Sequence, residues 1–260
     1  MLIDTHVHLD DPRYDADWEA MFQRAQEAGV ERFITIGCDL STSFSAVRLA
    51  TERVHVYATI GVHPHEVKRI ESNWYTELSH LAQQPKVVAF GEIGLDYHYD
   101  HSPRDVQRQR FREKIGLAQS LKLPLVIHTR EAQDDTMAIL REEQAERSGG
   151  VFHCFSEDLS FAKQALDLGF YLSFSGIITF RNATQLREVI RSVPDDRLLI
   201  ETDAPYLTPM PFRGKRNESA YVTYVAKQIA ELKYGDSSTG LTRVAELTTN
   251  NARRLFNISS

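Results

Sequence analysis

Cysteine is scarce in this chain: Cys38 and Cys154 are the only two in 260 residues, and no CxxC pair occurs. That excludes a disulfide framework and a thiolate-rich metal site, and it fits a reducing compartment. No apolar stretch approaches the roughly 18 residues that a membrane-spanning helix requires, so no membrane partner is expected. The opening Met1-Leu2-Ile3-Asp4-Thr5-His6 has neither the basic nor the apolar region of a secretory signal, and a cytoplasmic location is expected. Positive charge is not in excess either. Thirty Lys and Arg face thirty-six Asp and Glu, a formal net charge of -6. A field of that sign repels a polyanion, so any nucleic-acid binding needs a local basic patch or bound cations. GxGxxG, GxxxxGKS/T and GxSxG are all missing, which removes the signatures of dinucleotide, P-loop and nucleophile-elbow chemistry.

What is present is an ordinary globular composition, 42% hydrophobic and 25% charged. Short apolar runs alternate with longer segments of helical period. The runs are Leu2–His6, Arg32–Gly37, Val56–Gly61, Val87–Gly91, Leu125–His128, Gly150–His153, Tyr171–Phe174 and Arg197–Glu201. Between them, sets such as Phe111, Ile115, Ala118 and Leu121, or Leu186, Val189, Ile190 and Val193, recur at helical spacing. Two further helices, around Val222/Val225/Ile229/Leu232 and from Leu241 to Phe256, close the chain. Eight strand-helix units predict a single (β/α)8 barrel domain over residues 1–260, with a doubly wound open sheet as the rival. Both folds bury their strands on two faces, so apolar runs fit either.

Chemistry-bearing residues gather at the predicted strand ends. His6 and His8 lie two apart on an extended chain, so both imidazoles point to one side while Val7 points away. Glu92 follows the fourth strand, His128 and His153 end the fifth and sixth, and Asp203 follows the eighth. Barrel active sites are assembled at these C-terminal ends. Four His and two carboxylates suit Zn, Mn, Ni, Co or Mg, and six ligands are too many for one tetrahedral ion with an open position. They fit two divalent ions sharing a bridging carboxylate, for which Glu92 is the natural choice. His63, after the third strand, is expected to orient a neighbour, to meet substrate phosphate or to make only a structural hydrogen bond to backbone, and Asp96 to orient a ligand or cap a turn. Glu201 either orients a histidine or simply ends its strand. His55, His80, His98 and His101 read as surface residues. Arg213-Gly214-Lys215-Arg216-Asn217 is the one dense basic cluster, and Arg213, Lys215 and Asn217 are expected to clamp phosphate, a solvated loop being the alternative.

These residues resemble the motifs of the TatD family of metal-dependent deoxyribonucleases. The matching stretches are Asp4 to Asp10, Gly61 to His65, Gly91 to Tyr97, Pro124 to Arg130, His153 to Ser156, Glu201 to Leu207, Arg213 to Glu218 and Asn250 to Phe256. Ser219 departs from the family's usual Pro. The resemblance implies metal ligands at His6, His8, Glu92, His128, His153 and Asp203, and hydrolysis of nucleic-acid phosphodiesters, with DNA ahead of RNA as substrate. Asp203 is then expected both to hold one ion and to orient or deprotonate water, while Glu92, His128 and His153 hold the second. Some related proteins act on D-aminoacyl-tRNA, which leaves an ester hydrolase as an alternative, and a barrel that binds metal without catalysis as another. No obligate protein partner is indicated.

Overall fold

The computed structural model describes residues 1–71, 73–235 and 238–259. Ser72, Asp236, Ser237 and Ser260, which the expected domain includes, lie outside the described residues. The chain runs β1 (Leu2–Val7), α1 (Trp18–Glu27), β2 (Val30–Thr35), α2 (Leu40–Glu52), β3 (Val56–Ile60), α3 (Trp74–Leu81), β4 (Val87–Asp96) and α4 (Arg104–Leu121). It continues β5 (Leu125–Arg130), α5 (Gln133–Glu142), β6 (Gly150–Phe152), α6 (Leu159–Asp167), β7 (Tyr171–Phe174), α7 (Thr184–Ser192), β8 (Leu198–Ile200), α8 (Val222–Tyr234) and α9 (Ser238–Phe256).

The strands form one sheet in the order β1 to β8, and the recorded pairings are parallel. A doubly wound sheet reverses its strand order at a switch point. The strictly sequential order excludes that rival and is that of a (β/α)8 barrel. No helix among the described residues is long and apolar enough to cross a membrane.

Two compact units make up the chain: Met1–Thr35 with His153–Leu166 and Tyr171–Ser260, and Ile36–Phe152 with Asp167–Phe170. In the first, every residue of β1 is buried, as are Leu198, Leu199 and Ile200 of β8. Leu186, Val189 and Ile190 supply the buried face of α7. In the second, Phe111, Ile115 and Ala118 line the buried face of α4, which ends where Lys122 turns left-handed at φ 57°. A capping box starts α2: the Asp39 side chain accepts from Thr42 N at 2.7 Å, and Asp39 N donates to Thr42 Oγ1 at 2.9 Å.

One strand end differs from expectation. Gly91-Glu92 does not end the fourth strand, because β4 runs on to Asp96. Phe90 pairs with Leu125 and Ile93 with Ile127, so three steps on β4 oppose two on β5. This bulge, between Phe90 and Ile93, absorbs an extra residue and lets the strand continue. Glu92 is therefore held inside a strand and not on a loop.

Candidate active site

In the first unit the site is built from β1 and the segment after β8. His6 is fully buried and His8 partly exposed, with their ring centroids 5.3 Å apart. Asp203 N donates to His6 O at 2.9 Å, and His8 N donates to Ala204 O at 2.8 Å. These main-chain bonds set the Asp203 carboxylate beside both imidazoles: Oδ1 lies 3.3 Å from His8 Nε2 and 3.6 Å from His6 Nε2. Asp203 adopts φ 55°, a left-handed conformation that Asp tolerates better than most residues. Below it, the buried Asp4 accepts from Thr202 N at 2.9 Å and Thr202 Oγ1 at 2.6 Å, anchoring the residue that precedes Asp203.

His153, just past β6, stacks on His6 with ring centroids 4.0 Å apart and planes 13° apart. Its Nδ1 lies 3.4 Å from Glu201 Oε1, which also accepts from Cys154 N at 2.6 Å. The donor atoms of His6, His8 and Asp203 lie within 4.8 Å of one another, as do those of His6, His153 and Glu201. Burial pushes the Asp203 carboxyl upward, but the His8 hydrogen bond and the charges of His6, His8 and His153 outweigh it. The net result is a pKa below the usual carboxylate value.

In the second unit, Glu92 on β4 meets His128 on β5 and His63 from the loop after β3. Glu92 Oε1 lies 2.9 Å from His128 Nδ1 and 3.3 Å from His63 Nε2, and the three form another set within 4.8 Å. Gly94 makes the approach of β4 to β5 possible, since a Cβ there would lie 1.9 Å from His128 O. Asp96 backs this set from a buried position. Its Oδ2 lies 3.0 Å from His128 Nε2 and 3.1 Å from His65 Nε2, and its Oδ1 accepts from the amides of His98 and Tyr99. Burial raises the Asp96 pKa, and the bonds from His128, His65 and Tyr99 N override that to hold it far below the ordinary value.

Hydrogen bonding distinguishes the two histidines beside Glu92. His63 Nδ1 accepts from His65 N at 3.2 Å, so the ring proton sits on Nε2 and is directed at Glu92. Burial lowers the His63 pKa to about 4, offset only in part by Glu92, so the ring is neutral at pH 7. In this tautomer His63 orients Glu92. His128 is the opposite case: Nε2–H facing Asp96 directs the Nδ1 lone pair toward Glu92 and any ion beside it, a carboxylate–histidine arrangement common behind metal ligands.

The donor sets suit a divalent cation. Two ligand atoms each about 2.1 Å from one ion sit roughly 3 to 4.2 Å apart. The 3.3 and 3.6 Å separations at Asp203 and the 3.4 Å separation at His153 fall in that range, and the 2.9 Å separation at Glu92 lies at its edge. Neutral imidazoles with carboxylates are a borderline donor set.

His153 was expected to share an ion with Glu92 and His128, but its close donor set is His6 and Glu201. Glu201, expected at most to orient a histidine, is a member of that set, and its i, i+2 spacing with Asp203 is the signal that β1 also shows at His6 and His8. The Asn217 side chain is turned into the protein. It is fully buried, and its amide donates to Thr202 O at 2.9 Å and Tyr206 O at 2.5 Å while its oxygen accepts from Glu218 N. It pins the loop after β8 to itself. Arg213 and Lys215 are exposed; Arg213 lies over the Phe180 ring at 4.0 Å. Arg216 is engaged by Asp17 at 2.6 and 2.8 Å.

The family model described as TatD related DNase matches residues 3–257. The metal-dependent hydrolase YabD of Bacillus subtilis (strain 168) is 47% identical over 259 residues, covering 100% of both chains. The 3'-5' ssDNA/RNA exonuclease TatD of Rahnella sp. (strain Y9602) is 34% identical over 260 residues, 98% of this chain and 97% of that one. The crystal structure of YjjV, a TatD homolog from Escherichia coli K12, superposes with a TM-score of 0.92 at 32% identity, covering 99% of this chain and 98% of that one.

Proposed function

Because the chain belongs to the TatD family of metal-dependent hydrolases, we propose that it hydrolyses phosphodiester bonds of nucleic acid, DNA ahead of RNA, as one domain spanning residues 1–260. The observation that carries this reading is the gathering of His and carboxylate donors, two triads sharing His6 in the first unit and a third around Glu92 in the second. The triads that share His6 would serve one divalent ion and Glu92 with His128 a second, giving two per chain, drawn from Zn, Mn, Mg, Ni and Co. A relative named as an ssDNA/RNA exonuclease supports the substrate class. A chain with only two cysteines, Cys38 and Cys154, fits action in the reducing cytoplasm.

Divalent cations, when bound, supply Lewis acidity that neutralises phosphate charge and acidifies water. The protein's own groups do the rest. Asp203, ionised at neutral pH, orients the attacking water and accepts its proton. His6, His8 and His153 hold their donor atoms in fixed positions, His6 from full burial. Glu92 is kept in place by the His63 Nε2–H, and His128 by Asp96. Arg213 and Lys215, exposed on the loop after β8, meet the polyanion.

The test is product analysis. Metal-stripped protein, restored with each candidate ion, is incubated with a 5'-labelled single-stranded oligonucleotide and, separately, with D-aminoacyl-tRNA. Metal-dependent shortening of the oligonucleotide is the expected result. Release of the amino acid with the oligonucleotide intact overturns this reading in favour of the ester hydrolase, and metal binding without turnover of either favours a non-catalytic barrel.

A further inference from the structure

Next to the Glu92–His128 set, the segment after β4 collects aromatic rings that the hydrolytic chemistry does not use. Tyr99 is 50% exposed, and its main chain is fixed by Asp96 Oδ1, which accepts from Tyr99 N at 2.9 Å. The His101 ring lies nearly parallel to it, 12° between planes and 5.5 Å between centroids. His65 stands edge-on to both, at 4.6 Å from His101 and 5.5 Å from Tyr99. The Arg130 guanidinium carbon lies 4.9 Å from the Tyr99 ring centre, and Lys68 Nζ donates to His101 O. His65 and His128 share the Asp96 carboxylate, so the rings are continuous with the candidate site of this unit.

We infer that Tyr99, His101 and Arg130 form a stacking platform for an unpaired base of a single-stranded nucleic acid, an inference that rests on the proposed nucleic-acid hydrolysis. Ring and guanidinium surfaces stack with any base, because every base presents a π-face, and the adjoining cations meet the phosphate. The aromatic cluster is anchored before any ligand arrives: Asp96 holds Tyr99 and His65, and Lys68 holds the His101 carbonyl. A duplex cannot use such a platform without first opening, since its bases are already stacked and paired. The platform thus selects single strands and places a base next to the scissile backbone.

The experiment uses the full chain as purified and a phosphorothioate single strand carrying 2-aminopurine, with a matched oligonucleotide that is abasic throughout. Binding is followed by anisotropy and stacking by 2-aminopurine quenching. Tyr99→Ala is expected to bind the base-bearing strand about tenfold more weakly and to lose the quenching, while Tyr99→Phe keeps both. On the abasic strand, Tyr99→Ala and wild type bind equally. A Tyr99→Ala protein that binds and quenches like wild type, or that loses the abasic strand to the same degree, overturns the platform. If wild type cleaves single strands while Tyr99→Ala shows no binding defect, the platform alone falls. If wild type neither binds nor cleaves them, the nucleic-acid reading falls and the platform with it.

Discussion

In the first unit, His6, His8 and Asp203 are fixed largely through main chain: Asp203 N bonds to His6 O and His8 N to Ala204 O. In the second unit, Glu92 and His128 are aimed by other side chains, His63 on one and Asp96 on the other. Similar donor chemistry is therefore held in two ways. A donor held by main chain is sensitive chiefly to its own replacement. A donor held by side chains is also sensitive to residues that never touch the ion or the substrate.

Asp203→Asn carries the largest expected effect. Asn keeps the size and one oxygen but loses the charge and the proton-accepting capacity. At saturating metal, kcat is expected to fall by at least about 100-fold while oligonucleotide affinity changes little. Recovery of near wild-type kcat at saturating metal removes Asp203 from the chemistry and leaves it an auxiliary ligand. Asp96→Ala comes next and sharpens the contrast. Loss of such an orienting carboxylate costs about 10- to 100-fold in metal affinity, so one ion should bind more weakly and activity should return as metal is raised. An unchanged metal titration breaks the claim that side chains aim this set.

The third prediction concerns Lys114, which is fully buried in the second unit and donates to Val62 O at 2.5 Å beneath the His63 loop. Burial lowers its pKa from the ordinary 10.5 to about 7, with Arg110 adding to the shift and Glu113 opposing it. Between those values the unfolded chain holds a proton that the folded chain lacks, so stability rises with pH through this window and is lowest below it. The slope contributed is at most about 1.4 kcal/mol per pH unit. Urea denaturation at pH 7 and pH 9.5 should show the rise in wild type and its loss in Lys114→Met. Equal pH dependence in the two proteins removes the neutral lysine from the account. Arg213→Ala is expected to act least, raising KM about two- to fivefold with the salt dependence of binding reduced by about one phosphate contact. Kinetics and salt dependence identical to wild type make the loop a solvated surface.

The barrel was legible because strands buried on both faces leave unbroken apolar runs, and strands laid in chain order need no long-range rearrangement to decode. Gly91 was harder to read. A glycine closing an apolar run usually marks a strand end, yet here glycine serves close packing: a Cβ at Gly91 would lie 2.5 Å from Val126 O. The donor-bearing residues were visible as types and as strand-end positions. Their grouping was not, because His153 lies past the end of β6, where strand alternation no longer tells which way a side chain points. Asn217, expected to meet phosphate, spends its amide on two loop carbonyls, a use that a polar residue in a basic run does not announce. Tyr99 and Arg130 gave no warning at all, since one lies in the segment after β4 and the other at the end of β5.

The most direct test of the account counts ions. Metal-stripped wild type, His128→Ala and His153→Ala are titrated with Zn or Mn by calorimetry and checked by elemental analysis after dialysis. The account predicts two ions per chain in wild type and one in each variant, with the fold unchanged by circular dichroism. One ion in wild type, or two ions bound as tightly in either variant as in wild type, would contradict it.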